Sequence, residues 1–218
     1  MPTKAYRGMG MEGWVARWYA NITGKDQSDL KALAARIVSQ LPPGAQVLEV
    51  APGPRYLAIE IAESGDFRVA GLDISHTFVE IGQNNARQRG VEVDFRQGDA
   101  AHMPFADDTF QFLVCRAAFK NFTEPAGAIQ EMHRVLAPGG TALLIDLRKD
   151  TPPEAIKEAV DEMHLGTINA LLTRNTFRFM LLKRAYTRDD FQRFIATSGF
   201  KNVDIQQTTI GFDIWLRK

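Results

Sequence analysis

The chain has 218 residues, enough to bury one core without disulfides or metal, and its 45% hydrophobic and 24% charged content is ordinary for a globular protein. Lys plus Arg and Asp plus Glu balance at 26 each, so bulk charge gives no reason to expect a nucleic-acid or membrane-surface protein and leaves only local patches. The single cysteine, Cys115, can form neither an intramolecular disulfide nor a cysteine-based zinc site; no stretch is apolar enough to span a bilayer, and the N-terminal stretch lacks the apolar run of a signal peptide, so the expected setting is cytoplasmic, with no membrane partner.

In chain order, apolar residues at Trp14, Val15, Trp18 and Tyr19, then at Leu30, Leu33, Ile37 and Val38, predict two helices before a stop at Pro42-Pro43-Gly44. The texture then alternates. "AQVLEVA" reads as a strand, "RYLAIEIAESG" as a helix closed by Gly65, "FRVAGLD" as a strand and "HTFVEIGQNNARQRG" as a helix closed by Gly90. "VEVDFRQGD", "FQFLVCRA" and "GTALLIDLR" supply three more strands, with a helix around "AGAIQEMHRVL" between the last two. Such alternation implies right-handed crossovers and a mostly parallel sheet covered on both faces. After Arg148 the pattern weakens into a long helical region from Pro152-Pro153 to about Lys183. "TRDDFQRFIATSGF" is then a helix, with Thr187 and Asp190 as a capping box and Gly199 as its stop. "VDIQQTTIGFDIWLRK" reads as an antiparallel hairpin at the sheet edge, joined at Gly211.

Three features fall where a nucleotide would need them. The first strand ends in Glu49 and opens onto the loop Ala51-Pro52-Gly53-Pro54. Asp73 closes the next strand, 24 residues after Glu49, where a carboxylate can accept from both ribose hydroxyls. Gly98-Asp99 lies just past the third strand, where a carboxylate can accept from an adenine amino group. All three sit beyond the carboxyl ends of strands, where open parallel sheets bind ligands.

On these segments the chain resembles the class I S-adenosylmethionine-dependent methyltransferases, from about Ala45 to Leu147. "VLEVAPGPRYLAIEIA" is similar to their first motif, "VAGLDIS" to their second, and "RQGDAAHMPFADDTFQFLVCRAAFKNF" to their third and fourth; "EMHRVLAPGGTALLIDL" is similar to the segment leading into their fifth strand. The resemblance implies an α/β, Rossmann-like, doubly wound sheet of seven strands, mostly parallel, with an antiparallel C-terminal hairpin. It implies one domain over residues 1–218: a helical N-terminal lid (1–40), a cofactor-binding core (45–148), a helical cap after the fifth strand (150–186), and a final helix and hairpin (187–218). S-adenosylmethionine is the implied cofactor. Glu49 would stand near its methionine amino group, Ala51 and Gly53 would let the backbone approach, Asp73 would hold the ribose, with Ile74 beside it also binding the cofactor, and Asp99 with Ala100 would hold the adenine, against Met103 as an apolar wall. Arg116 would lie near the methionine moiety and the reaction centre. Arg55 departs from the family, which usually has glycine there; its side chain either swings to solvent, pairs with the cofactor carboxylate or an acidic substrate, or obstructs the site.

Each residue has a plainer reading. Glu49 could only cap the next helix, Gly98-Asp99 could be a common turn, and Cys115 is most simply a buried strand residue. The four histidines share no metal-ligand spacing, and no metal is expected. His133 reads as a structural cation near a helix C-terminus. No general base stands out; His164 in the cap, Lys120 beside Asn121 after the fourth strand, and Arg116 are the catalytic candidates. Five basic residues interleave with Phe177, Phe179 and Tyr186 over residues 174–188, a pattern open to nucleic acid. The apolar spacing of Phe177, Met180 and Leu181 favours an amphipathic cap helix instead. Trp14, Trp18 and Tyr19 are packing or lid residues. The expected function is methyl transfer to a small molecule; the rival is a methyltransferase-like protein that binds the cofactor without ordinary methyl transfer. A NAD-dependent dehydrogenase lacks its G-x-G-x-x-G spacing here.

Overall fold

The structure, a computed structural model, describes residues 6–7, 11–23, 28–54, 56–162 and 166–218. Two helices, α1 (Gly13–Thr23) and α2 (Ser28–Val38), precede an alternating core: β1 (Gln46–Val50), α3 (Leu57–Glu63), β2 (Arg68–Asp73), α4 (His76–Arg89), β3 (Asp94–Gln97), β4 (Phe110–Arg116), α5 (Pro125–Val135) and β5 (Leu136–Leu147). The chain continues through α6 (Pro153–Asp161), α7 (Thr167–Thr176) and a π-helical segment (Phe177–Leu181) to α8 (Arg188–Ala196), β6 (Asn202–Gln207) and β7 (Gly211–Arg217). The sheet order is β3-β2-β1-β4-β5-β7-β6, parallel through β5 and antiparallel across β7 and β6. This is the seven-stranded, mostly parallel, doubly wound arrangement expected, with the hairpin at the edge and β7 as its inner strand. Among the described residues no helix is long and apolar enough to cross a membrane.

Each face of the sheet buries its own core because strand side chains alternate. Leu48, Leu72, Leu113 and Leu144 point to one face, against Ile129 and Met132 of α5 and Phe191 and Ile195 of α8. Val47, Val69, Phe112 and Leu143 point to the other, against Ile37 of α2, Leu57 and Ile61 of α3, and Ala86 of α4. Parallel strands buried on both faces read as continuous apolar runs, which is why "VLEV" and "FLVC" show no alternation.

Local signals are met at both ends of helices. Thr187 accepts from the Asp190 amide while Asp190 accepts from Thr187, the reciprocal cap expected of α8. The fifth strand starts earlier than its apolar run suggests, at Leu136. A Cβ on Gly140 would come within 2.8 Å of the Ala137 carbonyl and 3.1 Å of the Phe110 carbonyl. Only glycine fits there, and the β4–β5 register shifts between Phe110 and Phe112 beside it. The long helical region splits into α6, α7 and the π-helical segment, with Ile156, Val160 and Leu182 packed together against Leu147 and Phe177.

Candidate functional site

A cavity of about 560 Å³ opens at the carboxyl ends of β1, β2 and β4, the switch point at which the strand order reverses. Of the residues singled out from sequence, it brings together Ala51, Gly53, Asp73, Ile74, Asp99, Ala100, Arg116 and Asn121.

The first wall is a loop folded onto a carboxylate. β1 ends at Val50, and Ala51 takes a left-handed φ of 55°, a region that favours glycine, with its amide bonded to the Leu72 carbonyl of β2 (2.7 Å). Ala51 is therefore held in a strained conformation. Gly53 follows at φ 58° with open space where a Cβ would stand, so bare backbone faces the cavity. Its amide donates to Asp73 Oδ2 (3.0 Å), and the Ser75 amide donates to Oδ1 (2.9 Å). Burial pushes the Asp73 carboxyl up to about 6 against those two amides, and the Glu12 carboxylate adds to the rise. A buried carboxylate in that state is stabilised by further donors, and a pair of vicinal hydroxyls supplies them.

Glu49 lies behind the cavity wall rather than in it. Its carboxylate is 2% exposed and accepts from the Leu57 (3.3 Å) and Ala58 (2.7 Å) amides at the start of α3, and it is not part of the cavity wall. Burial pushes its carboxyl up to about 8, outweighing those amides and the Arg116 charge. The helix-capping alternative describes its hydrogen bonds.

Asp99 lies at the rim, with its Oδ1 taken by the Ala101 amide (3.0 Å) in a local turn and His102 Nδ1 3.8 Å from its Oδ2. Met103 is buried in the core, its amide bonded to Glu131 (2.7 Å), and it does not line the cavity as an adenine wall would; Ala100 and Ile74 do.

The opposite wall follows β4. Arg116 lines the cavity and pairs with Asp29 of α2 (2.6 Å). Ala117 repeats the geometry of Ala51: φ is 56°, and its amide donates to the Ile145 carbonyl of the neighbouring strand (2.7 Å). Lys120 points away from the cavity. Its side chain is 5% exposed, and its ammonium pairs with Asp146 (2.8 Å), whose side chain is 2% exposed, while also donating to the Ala117 carbonyl. Lys120 is therefore engaged within the protein and does not line the cavity. Arg55 and His164 lie outside the described residues.

Sequence reasoning expected an N-terminal lid but missed the residues of it that reach the cavity. Tyr6, Met11 and Glu12 line the cavity, and both ends of this stretch are tied down. The Arg7 amide donates to the Asn121 carbonyl (2.8 Å), and its guanidinium reaches Tyr186 Oη (3.0 Å). Glu12 accepts from the His76 and Thr77 amides and the Thr77 hydroxyl at the start of α4, and Ser75 Oγ donates to the Met11 carbonyl. Burial raises the Glu12 carboxyl, but these hydrogen bonds outweigh it and hold the group below the usual range. The partners are more than 60 residues apart, so no local pattern announces them. His133, in the last turn of α5, packs its ring edge-on against Phe200, and burial and the Lys218 charge lower its pKa.

Residues 48–144 match the family model described as a methyltransferase domain. The chain is similar to a demethylmenaquinone methyltransferase of Deinococcus radiodurans, 31% identical over 73% of this chain and 66% of that protein, so it spans about two thirds of that relative's length. It is similar to a ubiquinone/menaquinone biosynthesis C-methyltransferase of Shewanella oneidensis, 26% identical over 80% of this chain and 73% of that one. Among solved structures, an S-adenosyl-L-methionine-dependent methyltransferase of Methanococcus maripaludis superposes with a TM-score of 0.75 at 19% identity, covering 97% of this chain and 95% of that one. The [4+2]-cyclase SpnF shares the fold at a TM-score of 0.61 and 23% identity over 81% of this chain and 58% of that one. The motif segments, the switch-point cavity and these similarities agree: the chain belongs to the class I S-adenosylmethionine-dependent methyltransferases, with S-adenosylmethionine as its cofactor.

Proposed function

We propose that this chain transfers a methyl group from S-adenosylmethionine to a small-molecule acceptor, and that a quinone-type ring is the acceptor class to test first. The observation that carries the reading is the cavity wall of Ala51, Gly53 and Asp73: bare backbone beside a buried carboxylate whose hydrogen bonds, among the described residues, come from backbone amides. Asp73 would accept from the ribose hydroxyls, Asp99 and Ala100 would border the adenine, and Arg116 with the backbone of Ala117 and Ala118 would border the methionine end. Bound there, the cofactor supplies an activated methyl group on a sulfonium. The protein's task is then to place the acceptor in line and keep water out.

Tyr6, Phe122 and Ala118 give the β4 side of the cavity an apolar surface, which suits a flat hydrophobic ring. The names of the Deinococcus and Shewanella relatives, a demethylmenaquinone and a quinone-biosynthesis C-methyltransferase, point to the same class. Residues 1–40 would serve as the lid, since Met11 and Glu12 border the cavity and Asp29 reaches Arg116. None of the described residues from 150 to 186 borders the cavity, so their role as a cap rests on the sequence pattern alone. The test is incubation with S-adenosylmethionine and a reduced demethylnaphthoquinone, followed by mass spectrometry for the gain of one methyl group.

One observation favours a second reading. Among the described residues of the cavity wall there is no histidine, lysine or cysteine to take a proton, and SpnF, named as a cyclase, shares the fold. A protein that binds the cofactor without ordinary methyl transfer would show calorimetric binding beside no turnover on any acceptor pool.

A further inference from the structure

We infer that the buried Lys120–Asp146 pair is a positioning device: it holds Ala117 in its left-handed conformation and so presents the backbone after β4 to the methionine end of the cofactor. The inference rests on the reading that the cavity holds S-adenosylmethionine.

Three observations converge on it. Ala117 stands at φ 56°, which costs a residue with a Cβ about 1–2 kcal/mol and persists only where the surroundings over-determine it. The surroundings here are specific: the Ala117 amide is held by the Ile145 carbonyl of β5, and its own carbonyl by the Lys120 ammonium. Asp146, one residue beyond Ile145, grips the Lys120 ammonium with Oδ1 and the Lys120 amide with Oδ2, which locks the single 3-10 turn Phe119–Asn121. Ala117, Ala118 and Asn121 are the cavity-facing products of that clamp.

Stability alone does not account for the pair. Taking two charges out of water offsets much of their attraction, and a well-packed apolar pair of similar volume is commonly as stable or more so. Phe119 already anchors the turn through Phe122, Tyr186 and Phe191. What an apolar pair cannot do is donate a hydrogen bond to the Ala117 carbonyl from behind. The pair therefore specifies a backbone geometry rather than adding net stability.

The test separates that role from folding. The double variant Lys120→Met with Asp146→Leu removes both charges, and its folding is checked by thermal unfolding. Calorimetry then compares two ligands: S-adenosylhomocysteine, which carries the amino-acid end, and 5′-methylthioadenosine, which lacks it. The expected result is a loss of about tenfold in affinity for S-adenosylhomocysteine, equivalent to about 1.4 kcal/mol, with 5′-methylthioadenosine affinity unchanged. Adding Ala117→Gly, which reaches the left-handed region without the Cβ penalty, recovers part of the loss. Unchanged affinity for both ligands, or equal weakening of both, overturns the inference. Failure of the wild-type protein to bind either ligand overturns it together with the cofactor reading, and that outcome is distinct because it appears before any substitution is made.

Discussion

The two strands that frame the cavity end alike and are secured in opposite ways. β1 and β4 each run into an alanine with φ near +55°, Ala51 and Ala117, and each alanine amide bonds to the next strand outward. Beyond β1, the buried carboxylates Glu49 and Asp73 take their hydrogen bonds, among the described residues, from backbone amides, and burial raises both. Beyond β4, charge is matched: Arg116 pairs with Asp29, and Lys120 with Asp146. The difference separates a surface that awaits donors from a ligand, on the Asp73 side, from one whose geometry is preset before any ligand arrives.

Breaking the matched side should cost most in folding. Lys120→Met alone leaves Asp146 buried without its cation, and a loss of about 3–5 kcal/mol is expected in chemical denaturation. If the double apolar variant does not recover most of that, the pair is a stabiliser and the contrast between the walls fails. Breaking the awaiting side should cost less in folding, through the two amides that Asp73 holds, and should remove binding. On the proposed cofactor placement, Asp73→Ala deletes two charge-assisted contacts to ribose hydroxyls, so S-adenosylhomocysteine affinity should fall about a hundredfold, taking about 1.5 kcal/mol per contact. A drop of less than about fivefold, about 1 kcal/mol, would move the ribose elsewhere.

The raised carboxyls give a pH test with a definite sign. In the native state Glu49 and Asp73 keep their protons to higher pH than in the unfolded chain, so the native state binds more protons between the ordinary carboxyl range and the raised values. Stability of the ligand-free protein therefore falls as pH rises from about 4.5 toward about 8, with Glu49 responsible for the upper part of that window. Glu49→Gln should flatten the decline between about 6 and 8, read from denaturation midpoints across pH. The smallest effect concerns strain: Ala51→Gly relieves a left-handed alanine while enlarging the entropy of the unfolded chain. The net change should stay within about 1 kcal/mol.

Most of the fold could be read in the sequence because its signals are local. Apolar runs, Gly stops and the Thr187–Asp190 box each act within a few residues, and alternation of strand and helix dictates the layering. Asp73 and Gly53 could be read for the same reason, each being tied to a strand end. Glu12, Tyr6 and the Lys120–Asp146 pair could not. Their meaning lies in partners 26 to 116 residues away, and an acidic residue ahead of a helix or a lysine after a strand looks the same whether it faces a cavity or a core. Glu49 shows the reverse: its motif position is legible in the sequence, but its hydrogen bonds to the α3 amides are not.

The most direct test is calorimetric titration of the intact chain with S-adenosylhomocysteine near neutral pH, repeated with Asp73→Ala. Binding at a single site is expected, with stabilisation against heat of about 2.7 kcal/mol when ligand reaches about a hundred times its dissociation constant, and loss of that binding in the variant. Absence of any heat or thermal shift at ligand concentrations of about 1 mM, where linkage would reveal even weak binding, would contradict a cofactor site in this cavity. Equal binding by wild type and Asp73→Ala would contradict its placement against Asp73.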